Sequence, residues 1–430
     1  MTMGNASAQT KETRYIIVGN GAAGAAALRE IRATDPAGRI TILTEEAYDA
    51  YSRPLISYYL KGRVPMDKIG YGSPLPPDGH TEMRLSTRVE GIDPQAHTLQ
   101  LEGGEILPYD KLLLATGSVP FVPPMEGVGG QENVFTFLDL ANAVRIRAYA
   151  KPDMKAVVVG GGLIGMKAAE GLHELCASVT VCELADRILP TILDERAAGR
   201  VRRHVEAHGI AILTGDTVAR AESEDNSLRR VVLRSGAVLD CDLLVVAVGV
   251  RPNIALARAA GCTVGRGVRT GRDLSTDVPD IWAAGDCTES TDLLDGTSKI
   301  LALWPNAVAQ GRTAGSAMAG GDRTFDGAFA MNAIDFFGLR MVTSGLLQVE
   351  DPAYRIEIRE DDGSYRRFVV RDNLLRGYCL VGDIDRAGIY TTLIRDDVPL
   401  DTLAGDYGAG IGLLAFPAEQ RRRMLYGDTQ

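Results

Sequence analysis

The sequence predicts an α/β protein, with two parallel-sheet units of one build followed by a small α+β domain. Three observations carry this. The first is Arg14-Tyr15-Ile16-Ile17-Val18, which runs into Gly19, Gly21 and Gly24 and then into helix formers from Ala25 to Glu30. The second is the same order met again at Ala156-Val157-Val158-Val159, broken by Gly160, Gly162 and Gly165. The third is a change of composition past Gly320-Gly321. There, alternating segments such as 366–370 and 377–381 read as strands of a separate sheet.

Each glycine-broken run sits in the strand–turn–helix setting that a dinucleotide fingerprint requires. The first glycine makes the tight turn, and the second lets the backbone approach a pyrophosphate. The third lets helix and strand pack closely, with the helix N-terminus facing the phosphates. Ala23 and Ile164, inside the two motifs, are counted with the same contacts. The next strand of the first unit, 40–44, ends in Glu45, and that of the second, 179–182, ends in Glu183. Both acids are placed to accept from a ribose hydroxyl. Leu184 and Ala185 follow Glu183 without the neighbouring arginine that a 2′-phosphate needs, so NADH is expected over NADPH. Two such units in one chain are far more specific than one.

Length and charge narrow the class. A chain of 430 residues holds two or three domains with ample core. Its 45% apolar and 24% charged residues are ordinary for a globular protein. A net charge of −10 argues against nucleic acid and anionic membranes as partners, and no apolar run is long enough to span a bilayer. Residues 1–13 are polar, lack the apolar core of a secretion signal and are expected to form a short flexible lead. The cysteines at 176, 182, 241, 262, 287 and 379 make no CxxC or metal-type pair. Reduced thiols in the cytoplasm are the expectation.

Taken in order, 50–60 places Arg53 just before Pro54, itself suited to the first turn of a helix. The stretch 70–79, rich in Gly and Pro, reads as irregular loop. Short strands follow at 98–101 and 111–115, the latter ending in Ala115-Thr116-Gly117. Pro120, Pro123 and Pro124 read as a linker. After the second glycine motif a helix is expected from Met166 to about Leu175. The apolar strand 242–248 breaks at Gly249, and 280–286 is a strand ending in Gly285-Asp286. A long helix is predicted over 305–318, with small residues at 307, 309, 311, 314, 315 and 317. His204 and His208 lie four apart on a predicted helix, but no Cys, Asp or Glu pattern completes a metal site, and a solvated face is expected. Cys287 reads as a small buried side chain. Arg421-Arg422-Arg423 reads as a solvated helix end, with docking of a more acidic redox protein as the other reading.

Together, the motifs at 19–24, Tyr51-Ser52-Arg53-Pro54, Ala115-Thr116-Gly117, 160–165, Gly249-Val250-Arg251-Pro252-Asn253 and Ala284-Gly285-Asp286 resemble the FAD-dependent pyridine-nucleotide oxidoreductases. The resemblance covers almost the whole chain from Tyr15 on. It implies an FAD-binding domain at 14–120 and 246–325, with an NAD(H)-binding domain at 121–245 inserted in it. Residues 326–430 would form an interface domain beside the flavin. Trp304-Pro305-Asn306 and Met331-Asn332-Ala333-Ile334 look most like the nitrite-reductase and rubredoxin-reductase branch. By the same resemblance Gly285 and Asp286 hold FAD. Trp304 reads as a residue that stacks or hydrogen-bonds near the flavin edge, with a core tryptophan as the other reading. A helix N-terminus at Pro305 would stabilise negative charge on the reduced ring by roughly 1 kcal/mol.

Disulfide reductases of this family carry a cysteine pair in the early helix, and some peroxidases and oxidases carry one. Here the helix reads Leu55-Ile56-Ser57-Tyr58, and no cysteine precedes Cys176. Electrons must therefore leave the flavin directly, and the resemblance points to an iron–sulfur or rubredoxin-like protein as acceptor. Similar chains also serve as NADH-linked flavin subunits of multi-subunit 2-oxoacid oxidoreductases such as phenylglyoxylate dehydrogenase, where electrons run toward NAD. A flavin-binding redox switch is the reading from another class, and homodimer or hetero-oligomer stays open. Relatives often pair a Lys at the position of Tyr58 with a Glu at the position of Lys167. On that reading the pair is lost and one cation survives: Lys167 either steadies the reduced flavin or is an exposed helix lysine.

Overall fold

The structure, a computed structural model, describes residues 12–70 and 79–426, with side chains to Arg422. Nearly all of the expected lead and of the 70–79 loop lies outside the described residues. Two compact units are built from interleaved segments. One takes residues up to Arg53, Pro65–Val119 and Val250–Ala328; the other takes Pro54–Val64, Pro120–Gly249 and Phe329 onward.

The first unit has a parallel sheet in the order Ile281–Ala283, Lys111–Leu114, Arg14–Val18, Arg39–Leu43, Thr81–Arg84. Its central strands are buried apolar runs because helices cover the sheet faces. The helix Ala22–Thr34 crosses Trp304–Met318 at very short range. A Cβ on Gly311 would lie 2.1 Å from the Ala23 carbonyl oxygen, and one on Gly315 2.7 Å from that of Ala27. The small residues seen in the sequence are there to let two backbones meet. An antiparallel sheet of Val89–Asp93, Thr98–Leu101 and Ile106–Pro108 completes the unit.

The second unit repeats the parallel plan in the order Ile210–Thr214, Ser178–Glu183, Lys155–Val159, Leu243–Val246, Val134–Thr136. The helix after its glycine motif spans Leu163–His173, starting three residues earlier than the sequence predicts because Gly162 already serves as its N-cap. Beyond it, an antiparallel sheet runs Met331–Phe336, Leu339–Gly345, Leu374–Val381, Tyr365–Arg371, Arg355–Glu360. Phe368 and Tyr378 of this sheet meet Tyr390 of the helix Ala387–Arg395, with ring centroids 5.1 and 5.6 Å apart. Pro54–Val64 belongs to this unit. It opens in the 3-10 turn Arg53–Leu55 and continues into the short helix Ile56–Leu60.

Candidate functional site

Gly19 ends the first strand with φ 110°, a conformation in which any side chain is strained. A Cβ there would lie 2.1 Å from the Ala115 carbonyl oxygen, and one on Gly24 would lie 2.0 Å from that of Gly19. Gly21 differs, since a Cβ on it would meet nothing within 4 Å. It caps the helix Ala22–Thr34, so its free space lies where unpaired backbone N–H groups gather. These residues fit the pyrophosphate of a dinucleotide.

The other predicted residues of this unit gather by two links. Thr116 Oγ1 donates to the Asn253 carbonyl oxygen at 2.6 Å, and Asn253 N–H donates to that of Gly117 at 2.9 Å. Arg53 pairs with Glu46, which also accepts from the Tyr51 hydroxyl at 2.6 Å, while Glu45 stands exposed. Burial pushes the Asp286 carboxyl up, and the Arg53 guanidinium opposes it. Gln310, which the sequence reading passed over, fixes the turn before Asp286. Its Oε1 accepts from Gly285 N–H at 2.6 Å and Thr288 Oγ1 at 2.9 Å, and its Nε2 donates to Ser290 Oγ at 2.7 Å. Only its place within the small-residue helix hinted at this.

In the second unit Gly160 has φ 109°, and a Cβ would lie 2.4 Å from the Ala247 carbonyl oxygen. One on Gly165 would lie 1.9 Å from that of Gly160, and one on Gly162 would meet nothing within 4 Å. Ile164 is half-buried in the first turn of the helix. Glu183 ends its strand and accepts from Gly161 N–H at 2.5 Å and Ala185 N–H at 2.8 Å, so its carboxylate is held at the glycine loop. Gly249, with φ 127°, accepts from Phe121 N–H at 3.0 Å.

The reading of Lys167 changes most. It is only 8% exposed, so it is no solvated helix lysine, and the Lys–Glu pair is not lost. Lys61 Nζ lies 2.5 Å from Glu170 Oε2, with side chains 1% and 2% exposed, and Lys167 Nζ lies 2.6 Å from the same oxygen. Both partners stand three residues beyond Tyr58 and Lys167, one turn along each segment. Lys167 also donates to the Asp335 carbonyl oxygen at 3.0 Å and lies 5.2 Å from the Tyr58 ring centroid. The Tyr58 hydroxyl donates to Asp335 Oδ1 at 3.1 Å. Burial pushes the Glu170 carboxyl up, but hydrogen bonds from Lys167, Lys61 and the Phe337 N–H outweigh it, and the group stays ionised. Burial lowers the Lys61 pKa against the pull of Glu170. Glu170, one turn after Lys167, was the sequence signal that could have revealed the network.

Two dinucleotide cradles of one geometry, each with an acid at the neighbouring strand end, decide the kinship. The sequence profile of the pyridine nucleotide-disulphide oxidoreductases matches residues 13–311. The chain belongs to that family. Over 93% of this oxidoreductase and 95% of the relative, it is 30% identical to the NADH-dependent phenylglyoxylate dehydrogenase subunit epsilon of Aromatoleum evansii. It is 33% identical to the biphenyl dioxygenase system ferredoxin–NAD(+) reductase component of Paraburkholderia xenovorans, over 70% of itself and 74% of that protein. The solved NAD-dependent persulfide reductase from A. fulgidus superposes with a TM-score of 0.84 at 27% identity, covering 96% of this chain and 83% of that one. The oxidoreductase is FAD-dependent and acts on NADH.

The remaining candidates fall outside this chemistry. No cluster of metal-binding side chains occurs among the described residues of the oxidoreductase. His204 is half-buried and His208 exposed; their rings lie 4.6 Å apart, and the His208 ring stacks at 4.5 Å on Phe337, in the turn after Met331–Phe336. Cys287 is fully buried, its thiol pushed up by burial. Trp304 is half-buried at the first turn of its helix, in the other unit from Tyr58 and Lys167. Arg421 and Arg422 lie on the helix Ala418–Tyr426. No described helix is long and apolar enough to cross a membrane.

Proposed function

We propose that this protein takes hydride from NADH and hands electrons singly to an iron–sulfur or rubredoxin-like protein or subunit. The observation that carries the reading is the helix Ile56–Leu60, which has no thiol for a relay, in a chain whose thiols are pushed up by burial where they are shifted. FAD, when bound, accepts two electrons as hydride and releases them one at a time. Gly19, Gly21, Ala23, Gly24, Glu45, Arg53, Pro54, Ala115, Thr116, Gly117, Gly249, Gly285 and Asp286 would hold FAD. Gly160, Gly162, Ile164, Gly165 and Glu183 would hold the nicotinamide nucleotide. Lys167 supplies a cation to the reduced ring, Tyr58 shapes the place of that cation, and Trp304 lies at the flavin edge. The work of the chain is alignment and exclusion of water. The relatives' names support the acceptor class, one being a dehydrogenase subunit and the other a ferredoxin reductase. Unpaired cysteines throughout fit the cytoplasm.

The test is steady-state NADH oxidation with an artificial one-electron dye, before and after alkylation of accessible thiols, beside purification of the native protein with whatever travels with it. Turnovers per second that survive alkylation, and a copurifying iron–sulfur partner, are expected. Stoichiometric inactivation through one cysteine without unfolding would overturn direct exit from the flavin.

A further inference from the structure

In the first unit one buried amide holds a turn that carries a carboxylate. Thr288 N–H donates to the Gly285 carbonyl oxygen at 3.0 Å, which closes a turn with Asp286 and Cys287 at its centre. Gln310, 2% exposed, reaches this turn from the helix Trp304–Met318. Its neighbour Gly311 lets that helix lie against the backbone of Ala23. Gly285 N–H can only donate, so the amide oxygen must face it, at 2.6 Å, and Nε2 then meets Ser290 Oγ at 2.7 Å. The Thr288 hydroxyl stands 2.9 Å from the same Oε1 and 2.8 Å from the Gly285 carbonyl oxygen, so it joins the far end of the turn to both.

The two central residues of the turn fare differently. The Cys287 thiol is directed at the carbonyl oxygens of Leu114 and Ala284, at 3.4 and 3.3 Å. Among the described residues no donor is bonded to the Asp286 carboxylate. Burial pushes that carboxyl up, and only the Arg53 charge opposes it. A half-buried carboxylate without a donor is costly, and a ligand's hydroxyl would relieve it. The turn also lies against the first glycine loop, since a Cβ on Gly285 would stand 3.1 Å from that of Ala23.

We propose that Gln310 is a positioning residue for Asp286: its amide holds the turn 285–288 so that this unpartnered carboxylate stays in place for a donor of bound FAD. This rests on the reading of Asp286 as a residue that holds FAD.

The experiment is serial dilution of the FAD-loaded full chain, in which flavin fluorescence reports the fraction released, with a thermal midpoint for each variant. Asp286→Asn is expected to weaken FAD binding. Gln310→Leu keeps the bulk, removes the amide and should weaken it about tenfold. In the Asp286→Asn background the same change should cost no more than about twofold further. The thermal midpoint should fall equally in both backgrounds, because Gly285 N–H loses its acceptor in either. Should Gln310→Leu not fold, Thr288→Val removes only the hydroxyl and should weaken FAD binding by less, again only with Asp286 in place. Equal losses in both backgrounds, or an unchanged affinity in Gln310→Leu while Asp286→Asn weakens it, would overturn the positioning role and leave Asp286 standing. An unchanged affinity in Asp286→Asn would overturn both.

Discussion

The two glycine loops are close to superimposable in their internal measurements, yet their acids behave differently. Gly19 and Gly160 share a φ near 110°, and each donates its N–H at 2.8 Å to the adjacent strand, to Leu43 and Cys182 respectively. Gly24 and Gly165 press equally on the first glycine of their motif, and Gly21 and Gly162 are equally open. The difference lies one residue after the turn. At Gly161 the Glu183 side chain lies against the backbone, and a Cβ would sit 3.0 Å from the Glu183 Cβ. The first loop has Asn20 there, buried and donating to Asp49 and the Met83 sulfur, while Glu45 stays in solvent beyond its strand end. The glycine spacing thus sets a backbone turn, whereas the posture of the acid depends on what stands between the glycines.

The sharpest break of this symmetry sets space against ligand. Gly24→Val and Gly165→Val should prevent each unit from folding, since neither carbonyl oxygen can move away from the new side chain. Gly21→Val should leave the fold intact, by circular dichroism and thermal midpoint, but yield colourless protein without FAD. Gly162→Val should keep FAD and lose NADH. A yellow Gly21→Val protein with a full complement of FAD would end the assignment of the first loop.

Glu183→Ala tests the held acid against the free one. It removes a charge-assisted hydrogen bond worth ~1.5–3 kcal/mol, so the preference for NADH over NADPH should narrow by one to two decades in kcat/KM. FAD content should not change. A wild type that already prefers NADPH would refute the role given to Glu183.

Lys167→Met sharpens the comparison in another way, because the first unit's helix carries Ala26 at the matching place. The flavin midpoint should fall by tens of millivolts, ~30 mV being ~1.4 kcal/mol for a two-electron couple. Reduction by NADH should slow more than NADH binding weakens. Lys167→Glu should be worse, because Lys61 would then face two carboxylates. Midpoints equal within error would make Lys167 a packing residue.

The smallest effect is one of pH. Glu170 is held below its unfolded value of about 4.3. The stability it contributes is whole above that pH and is lost as pH falls through the folded value. Glu170→Gln should therefore flatten the decline in unfolding free energy between about pH 5 and pH 3. An unchanged acid limb would place the titrating groups elsewhere.

Most of the fold was legible in the sequence because both glycine motifs are local. Strand, turn and helix are contiguous, and the period of apolar residues switches at the glycines. The small residues of Trp304–Met318 stand out in the sequence, and the structure shows what they meet, the helix Ala22–Thr34. The charge network was not legible, although all its residues were in view. The family resemblance points to Tyr58 and Lys167, whereas the charges that pair in space, Lys61 and Glu170, stand one turn further along both segments.

What the sequence determined by itself is therefore what neighbouring residues decide: two dinucleotide turns, the acids after them, and an early helix without a thiol. Only the tertiary structure decided which charges meet. Lys61, Glu170 and Asp335 are far apart in the chain, and they come together because Pro54–Val64, the helix Leu163–His173 and the strand Met331–Phe336 fold into one unit. A buried charge is tolerated only with a partner within reach. That reach is a distance in space, which sequence spacing does not measure.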